Sequence, residues 1–106
     1  MPDFMGLMKQ AAQLQAKMQE LQAELDHIDV EGTAGGGMVS VRLNAKGEFR
    51  GVAIDDSLLK PGEKEILEDL LVAAHAEARH KAEAVMQEKM KALTGGLPLP
   101  PGLNLF

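Results

Sequence analysis

The chain has 106 residues, sixteen acidic against eleven Lys or Arg side chains, a formal net charge of −5 and no cysteine. Disulfide and thiol chemistry are therefore excluded, and the length suits one small domain. No apolar run approaches the roughly 20 residues of a membrane-spanning helix.

The opening stretch, Met1 to Gln10, carries an acid at Asp3 and lacks the basic-then-apolar order of a secretory signal. The expectation is a cytoplasmic protein with no membrane partner. A first helix is predicted over about 3–27, with Asp3 as its N-cap. Phe4, Leu7, Ala11, Leu14, Met18, Leu21, Leu25 and Ile28 alternate spacings of three and four, the seam of a coiled coil. Gln10, Gln13, Lys17, Glu20 and Glu24 make the solvated face. Such a helix is a rod of roughly 37 Å, too long to bury its whole stripe against one small core. The seam therefore predicts a partner helix, and Phe4, Leu7, Leu14, Met18, Leu21 and Leu25 are the expected dimer-interface residues.

Three strands follow, predicted over about 28–33, 38–44 and 48–55. Ile28-Asp29-Val30-Glu31 alternates apolar and polar residues with the period of a strand. Gly35-Gly36-Gly37 reads as a turn. Val39, Val41 and Leu43 share one face, with Ser40 and Arg42 on the other. Asn44-Ala45-Lys46-Gly47 closes a hairpin, and Val52 and Ile54 stay in phase on the third strand. Adjacent Asp55 and Asp56 end that strand, with Asp56 or Ser57 as the cap of the next turn. After Pro61 a last helix is predicted over about 63–93, its acids Glu63, Glu65, Glu68 and Asp69 favoured by the helix dipole. Ile66, Leu70, Ala73, Ala74, Ala78, Val85 and Met86 form its expected apolar stripe. The domain is thus expected over 1–93, with a flexible Pro/Gly-rich tail at 94–106.

The chemistry-bearing patterns are few. Gly35-Gly36-Gly37 leads into a strand rather than a helix N-terminus, so it does not cradle phosphate as a phosphate loop does. Ser57-Leu58-Leu59-Lys60 fits a Ser-x-x-Lys pattern without the machinery that accompanies it. His75 and His80 are five apart, not the four that a helical zinc pair wants. No nucleophile–base pair, metal set or cofactor fingerprint is present, so no enzyme, cofactor, metal or small-molecule substrate is expected.

Charge is distributed unevenly. Residues 1–27 hold two bases and four acids, whereas residues 76–93 carry Arg79, Lys81, Lys89 and Lys91 against Glu77, Glu83 and Glu88. On these residues alone that basic block reads first as a solvated face with i,i+4 ion pairs. Only Phe4, Phe49 and Phe106 are aromatic, so the chain lacks the row of stacking platforms that holds single strands without regard to sequence. A nucleic-acid partner is expected to be duplex, contacted through its backbone.

Taken in order, Gly35-Gly36-Gly37, Val39-x-Val41, Asn44-x-Lys46-Gly47, Val52-x-Ile54-Asp55 and Ser57-Leu58-Leu59 resemble the centre of the YbaB/EbfC family of bacterial nucleoid-associated proteins. The Gln- and Met-rich first helix and the run Leu67-Glu68-Asp69-Leu70-Leu71-Val72-Ala73-Ala74 extend the resemblance over residues 4 to about 93. The resemblance implies an α+β, α-β-β-β-α subunit with a three-stranded antiparallel meander between two long helices. It also implies an intertwined homodimer with helices projecting like tweezers, and a nucleoid-associated role in binding duplex DNA. The bases it puts on the DNA surface are Lys9, Lys17, Arg79, Lys81, Lys89 and Lys91, with Arg42, Lys46 and Arg50 on the hairpin as secondary candidates. The alternative is a protein-interaction module whose helical arms grip another protein.

Overall fold

The computed structural model describes residues 4–94. They form α1 (Phe4–His27), β1 (Asp29–Ala34), β2 (Val39–Asn44), β3 (Phe49–Ile54), a single 3-10 turn (Asp56–Leu58) and α2 (Lys64–Thr94). This is the expected α+β order, α-β-β-β-α. The tail expected over 94–106 lies outside the described residues except for Thr94, and so does the expected cap Asp3.

The strands form one antiparallel meander in the order β1-β2-β3. Val41 stands between Gly32 on β1 and Val52 on β3. Alternation along β2 turns Val39, Val41 and Leu43 inward, where each is at most 1% exposed, and leaves Arg42 exposed on the outer face. Gly35, Gly36 and Gly37 link β1 to β2 with φ of 65°, 68° and 95°. That run of left-handed backbone is open to glycine and strained for other residues, which accounts for three glycines in a row.

α2 crosses the inner face over β1 and β2. Val39, Val41, Leu43, Leu58, Ala74 and Ala78 make the main core, with Leu67, Leu70 and Leu71 packed around it. The stripe differs from the expected one: Ile66 is half exposed and Ala73 is exposed, and Leu67 and Leu71 take their places. The helix is rotated so that its small residues, Ala74 and Ala78, sit against Gly32. There the backbones come so close that a Cβ on Gly32 would overlap Ala74 O and Ala78 N.

The cover is incomplete. β3 lies beyond α2, and its Phe49 and Val52 are 58% and 45% exposed. At the end of β3 the Asp55 carboxylate accepts a hydrogen bond from Ser57 N at 2.9 Å, so Asp55 is the cap rather than Asp56 or Ser57. The bonds from Ser57 hold the Asp55 carboxyl below its ordinary value, and the turn drives Leu58 into the core.

Beyond the sheet α2 continues and meets the last turns of α1. Leu21, Leu25 and Ala45 are buried there, packed against Ile28, Val85, Met86, Met90 and Leu93. Of the expected seam, Leu21 and Leu25 are closed over by their own chain. Upstream, no residue of α1 from Phe4 to Glu20 is buried, and Met18 is half-buried. The result is an elongated molecule, 74 × 26 × 16 Å, with the first part of α1 as a bare arm. No helix among the described residues is long and apolar enough to cross a membrane.

Candidate nucleic-acid interface

The arm is built on a joint at Asp26. Its side chain pairs with Lys46 at 3.0 Å, and its carbonyl accepts from the Arg50 guanidinium at 2.6 Å. The hydrogen bond from Lys46 is the main reason its carboxyl sits below the ordinary value. Beside it, fully buried Asn44 ties the β2–β3 turn together. Its Oδ1 accepts from Lys46 N and Glu48 N at 3.1 and 2.9 Å, and its Nδ2 donates to the Glu48 carboxylate at 2.8 Å. Ala45 N in turn donates to Ile28 O at 2.8 Å. The end of α1 is therefore fixed to the hairpin by main-chain and side-chain bonds together.

A further tie crosses from α1 to α2, where Lys89 Nζ meets the Glu24 carboxylate at 2.5 Å. Glu24 accordingly raises the Lys89 ammonium above its ordinary value. Glu24 and Asp26, two of the acids that made the first helix read as acidic, thus lie at its sheet end and are each matched by a lysine.

Most of the expected phosphate contacts are engaged inside the subunit. Arg79 pairs with Glu83 at 3.6 Å and Lys81 with Glu77 at 3.2 Å, and Lys81 also donates to Glu31 O at 2.8 Å. Arg50 lies 3.9 Å from the Asp29 carboxylate. Lys46 and Arg79 line one shallow cleft, shared with Glu83 and floored by Ala82 and Met86, so acids accompany both cations there. Lys91 is exposed near the end of α2 and also has a partner within the chain.

Three candidates differ. The exposed side chains of Lys9, Lys17 and Arg42 make no hydrogen bond or ion pair with another described residue. Arg42 lies across Gly51 on the outer face of the sheet. Lys9 and Lys17 stand on the bare arm, in a stretch, residues 4–19, that contains no acid at all.

The acidic excess lies elsewhere. Residues 55–77 hold seven acids and two bases, so the formal excess of five negative charges sits there and the rest of the chain balances. That segment covers the 3-10 turn and the first half of α2, at the end of the sheet remote from α1. A sequence-wide charge count hides this separation, because only the fold puts the two segments at opposite ends.

Of the expected interface residues, Phe4, Leu7 and Leu14 are 72%, 56% and 54% exposed. Met5 and Met8, which lie off the three-four seam, are exposed as well, at 79% and 60%. Sequence reasoning passed over both. A count of apolar residues around the whole first two turns of α1 would have found the methionines.

Residues 1–97 match the YbaB/EbfC DNA-binding family. A nucleoid-associated protein of Rhodopseudomonas palustris (strain BisB5) is 71% identical over 105 residues, 99% of each chain. A nucleoid-associated protein of Nitrobacter hamburgensis is 66% identical, again over 99% of each. Among solved structures, an uncharacterized protein from Helicobacter pylori superposes with a TM-score of 0.67 at 28% identity, over 91% of this chain and 97% of that one.

Proposed function

Because the chain belongs to the YbaB/EbfC DNA-binding family, we propose that it is a nucleoid-associated protein of the cytoplasm that binds duplex DNA weakly, largely through phosphate contacts, as a homodimer. Its role on this reading is nucleoid organisation or gene regulation. The observation that carries it is the pair Lys9 and Lys17, exposed and without a partner among the described residues, in a stretch, residues 4–19, that holds no acid. Cations already matched to carboxylates must give up those partners to gain a phosphate. Free ones need only release their water, and the DNA releases counterions in exchange.

The dimer is supported by apolar surface that one subunit leaves bare. Phe49 and Val52 form an open half-sheet, and a sheet with one uncovered apolar face wants a covering layer. Phe4, Leu7, Leu14 and Met18 remain as the shortened arm seam.

A salt titration tests the reading. Labelled duplex should bind at low ionic strength, with log affinity falling by about 0.9 per neutralised phosphate for each unit of log salt. Duplex should also win against single strands of equal length. Affinity independent of salt, or preference for the single strand, contradicts the phosphate-contact reading. The exposed apolar arm also favours a second reading, a module gripping another protein, and absence of DNA binding at low salt would leave that one standing.

A further inference from the structure

From Leu70 onward α2 runs antiparallel to β1 and then to α1, and named contacts mark the ladder. Leu70 lies against Gly35, and Glu77 accepts from Thr33 N at 3.4 Å. Lys81 donates to Glu31 O at 2.8 Å, and Lys89 meets Glu24 at 2.5 Å. Leu93 packs into the cluster around Leu21. As residue numbers rise on α2 they fall on β1 and α1, so the chain leaves Thr94 beside Glu20, headed for the tip of the arm. The stripe it meets continues the one α2 already covers. Leu21 and Leu25 are buried, and Met18, Leu14, Leu7 and Phe4 carry the same face onward, the last three more than half exposed. The twelve residues after Thr94 hold four leucines, a phenylalanine and three prolines, and no charged side chain. Pro98, Pro100 and Pro101 cannot extend a helix and favour polyproline II, with three residues and about 9.3 Å per turn. One side of such a segment presents Leu97, Pro100 and Leu103. Leu14 and Leu7 are one heptad apart on α1, about 10.5 Å, so the two rows nearly keep step.

We propose that residues 95–106 lie along the arm of their own subunit and cover its apolar stripe, with Leu97 on Leu14, Pro100 on Leu7 and Leu103 on Phe4. Three observations select this occupant. α2 delivers the segment to the start of the stripe. Its reach is sufficient, about 37 Å as polyproline II against about 24 Å along α1 from Glu20 to Phe4. An uncharged apolar segment also matches a stripe, Phe4 to Met18, that contains no acid or base of its own. One stripe takes one cover, so the homodimer proposed above then rests on Phe49 and Val52. Lys9 stands about 200° around the helix from Leu7 and stays open, so the DNA reading does not depend on the tail.

The chain has no cysteine, so an engineered pair reports a contact without background. The full-length variant Leu14→Cys/Leu97→Cys places two thiols at the proposed contact. Ala16→Cys/Leu97→Cys is the control, because position 16 is also exposed but lies roughly 200° around the helix from Leu14 and only about 3 Å away along the axis. Both α1 substitutions fall at exposed positions and so keep the fold. The variants are oxidised at micromolar concentration, and denaturing gels without reductant separate a bridge within one chain from a covalent dimer. A disulfide forms only where the Cα atoms come within about 7 Å, so the first pair should close within one chain at least about tenfold faster than the control. A covalent dimer as the main product of the first pair would place a second copy on the stripe. Equal rates for the two pairs, or closure of neither, would show that the tail does not lie there and leave the stripe to another protein. Each of these results overturns the proposal.

Discussion

Gly32 and Ala78 meet backbone to backbone: a Cβ built on Gly32 would lie 2.9 Å from the Ala78 Cα and overlap its amide nitrogen. This contact sets the rotation of α2 on the sheet. It keeps Ala74 and Ala78 over β1 and lets Val39, Val41 and Leu43 fill the space beside them. Gly32→Ala must push α2 away along that whole line. Overpacking of a well-filled core costs about 1–3 kcal/mol, and here the obstructing atoms are backbone and cannot rotate aside. The expected result is a fall in urea midpoint corresponding to at least about 2 kcal/mol. An unchanged midpoint would mean that the sheet and helix separate freely.

Asn44 should be nearly as sensitive for a different reason. It is fully buried and its side chain bonds both main chain and side chain around the β2–β3 turn. Asn44→Ala leaves the amides of Lys46 and Glu48 without their acceptor. An unsatisfied buried polar group costs about 1–3 kcal/mol. Hydrogen exchange should quicken at the Lys46 and Glu48 amides beyond what the global loss of stability explains. Exchange that rises evenly over the chain would show that Asn44 is not a local tie.

The Asp26–Lys46 pair gives a pH dependence with a definite sign. The native Asp26 carboxyl lies below its ordinary value of 3.8, so the folded state binds its proton more weakly than the unfolded chain. The contribution to stability is then fully present above about pH 4 and is lost as pH falls through the native value. Asp26→Asn should reduce stability near neutrality and flatten the acid limb of a stability-against-pH curve, measured by denaturant unfolding at closely spaced pH. An acid limb identical to that of wild type would show that the pair contributes nothing to folding.

The order of elements was readable because each carries a local signal: a three-four repeat in α1, period-two alternation in β2, glycines at the turns. What failed was information that only tertiary placement holds. Ile66 and Ala73 fit the apolar stripe of α2 by periodicity, yet Gly32 chose the neighbouring stripe. Leu21 and Leu25 continue the seam of Leu7 and Leu14 without a break in sequence. They are buried because the last described turns of α2 lie alongside them. The charge of α1 looked unfavourable for DNA because Glu24 and Asp26 were counted against Lys9 and Lys17, whereas Lys89 and Lys46 already answer those acids.

The same placement predicts how the lysines divide by role. Lys9→Gln/Lys17→Gln removes two exposed cations that have no partner among the described residues, so the fold should be untouched and the urea midpoint unchanged. If both contact phosphate, the slope of log affinity against log salt should become shallower by about 1.8 per subunit, with affinity weakened alike on unrelated sequences. Arg79→Gln/Lys81→Gln removes cations held by Glu83, Glu77 and Glu31 O. These are exposed ion pairs on one helix, worth about 0.3–0.5 kcal/mol each, so stability should drop only slightly. Removing them also frees Glu77 and Glu83, which adds repulsion at distance without deleting a phosphate contact, so the salt slope should stay near that of wild type. Salt titrations of both double variants on one duplex decide the matter. If the α2 variant loses the slope and the arm variant keeps it, the paired cations of α2 exchange their carboxylates for phosphates and the arm is not the DNA-contacting element.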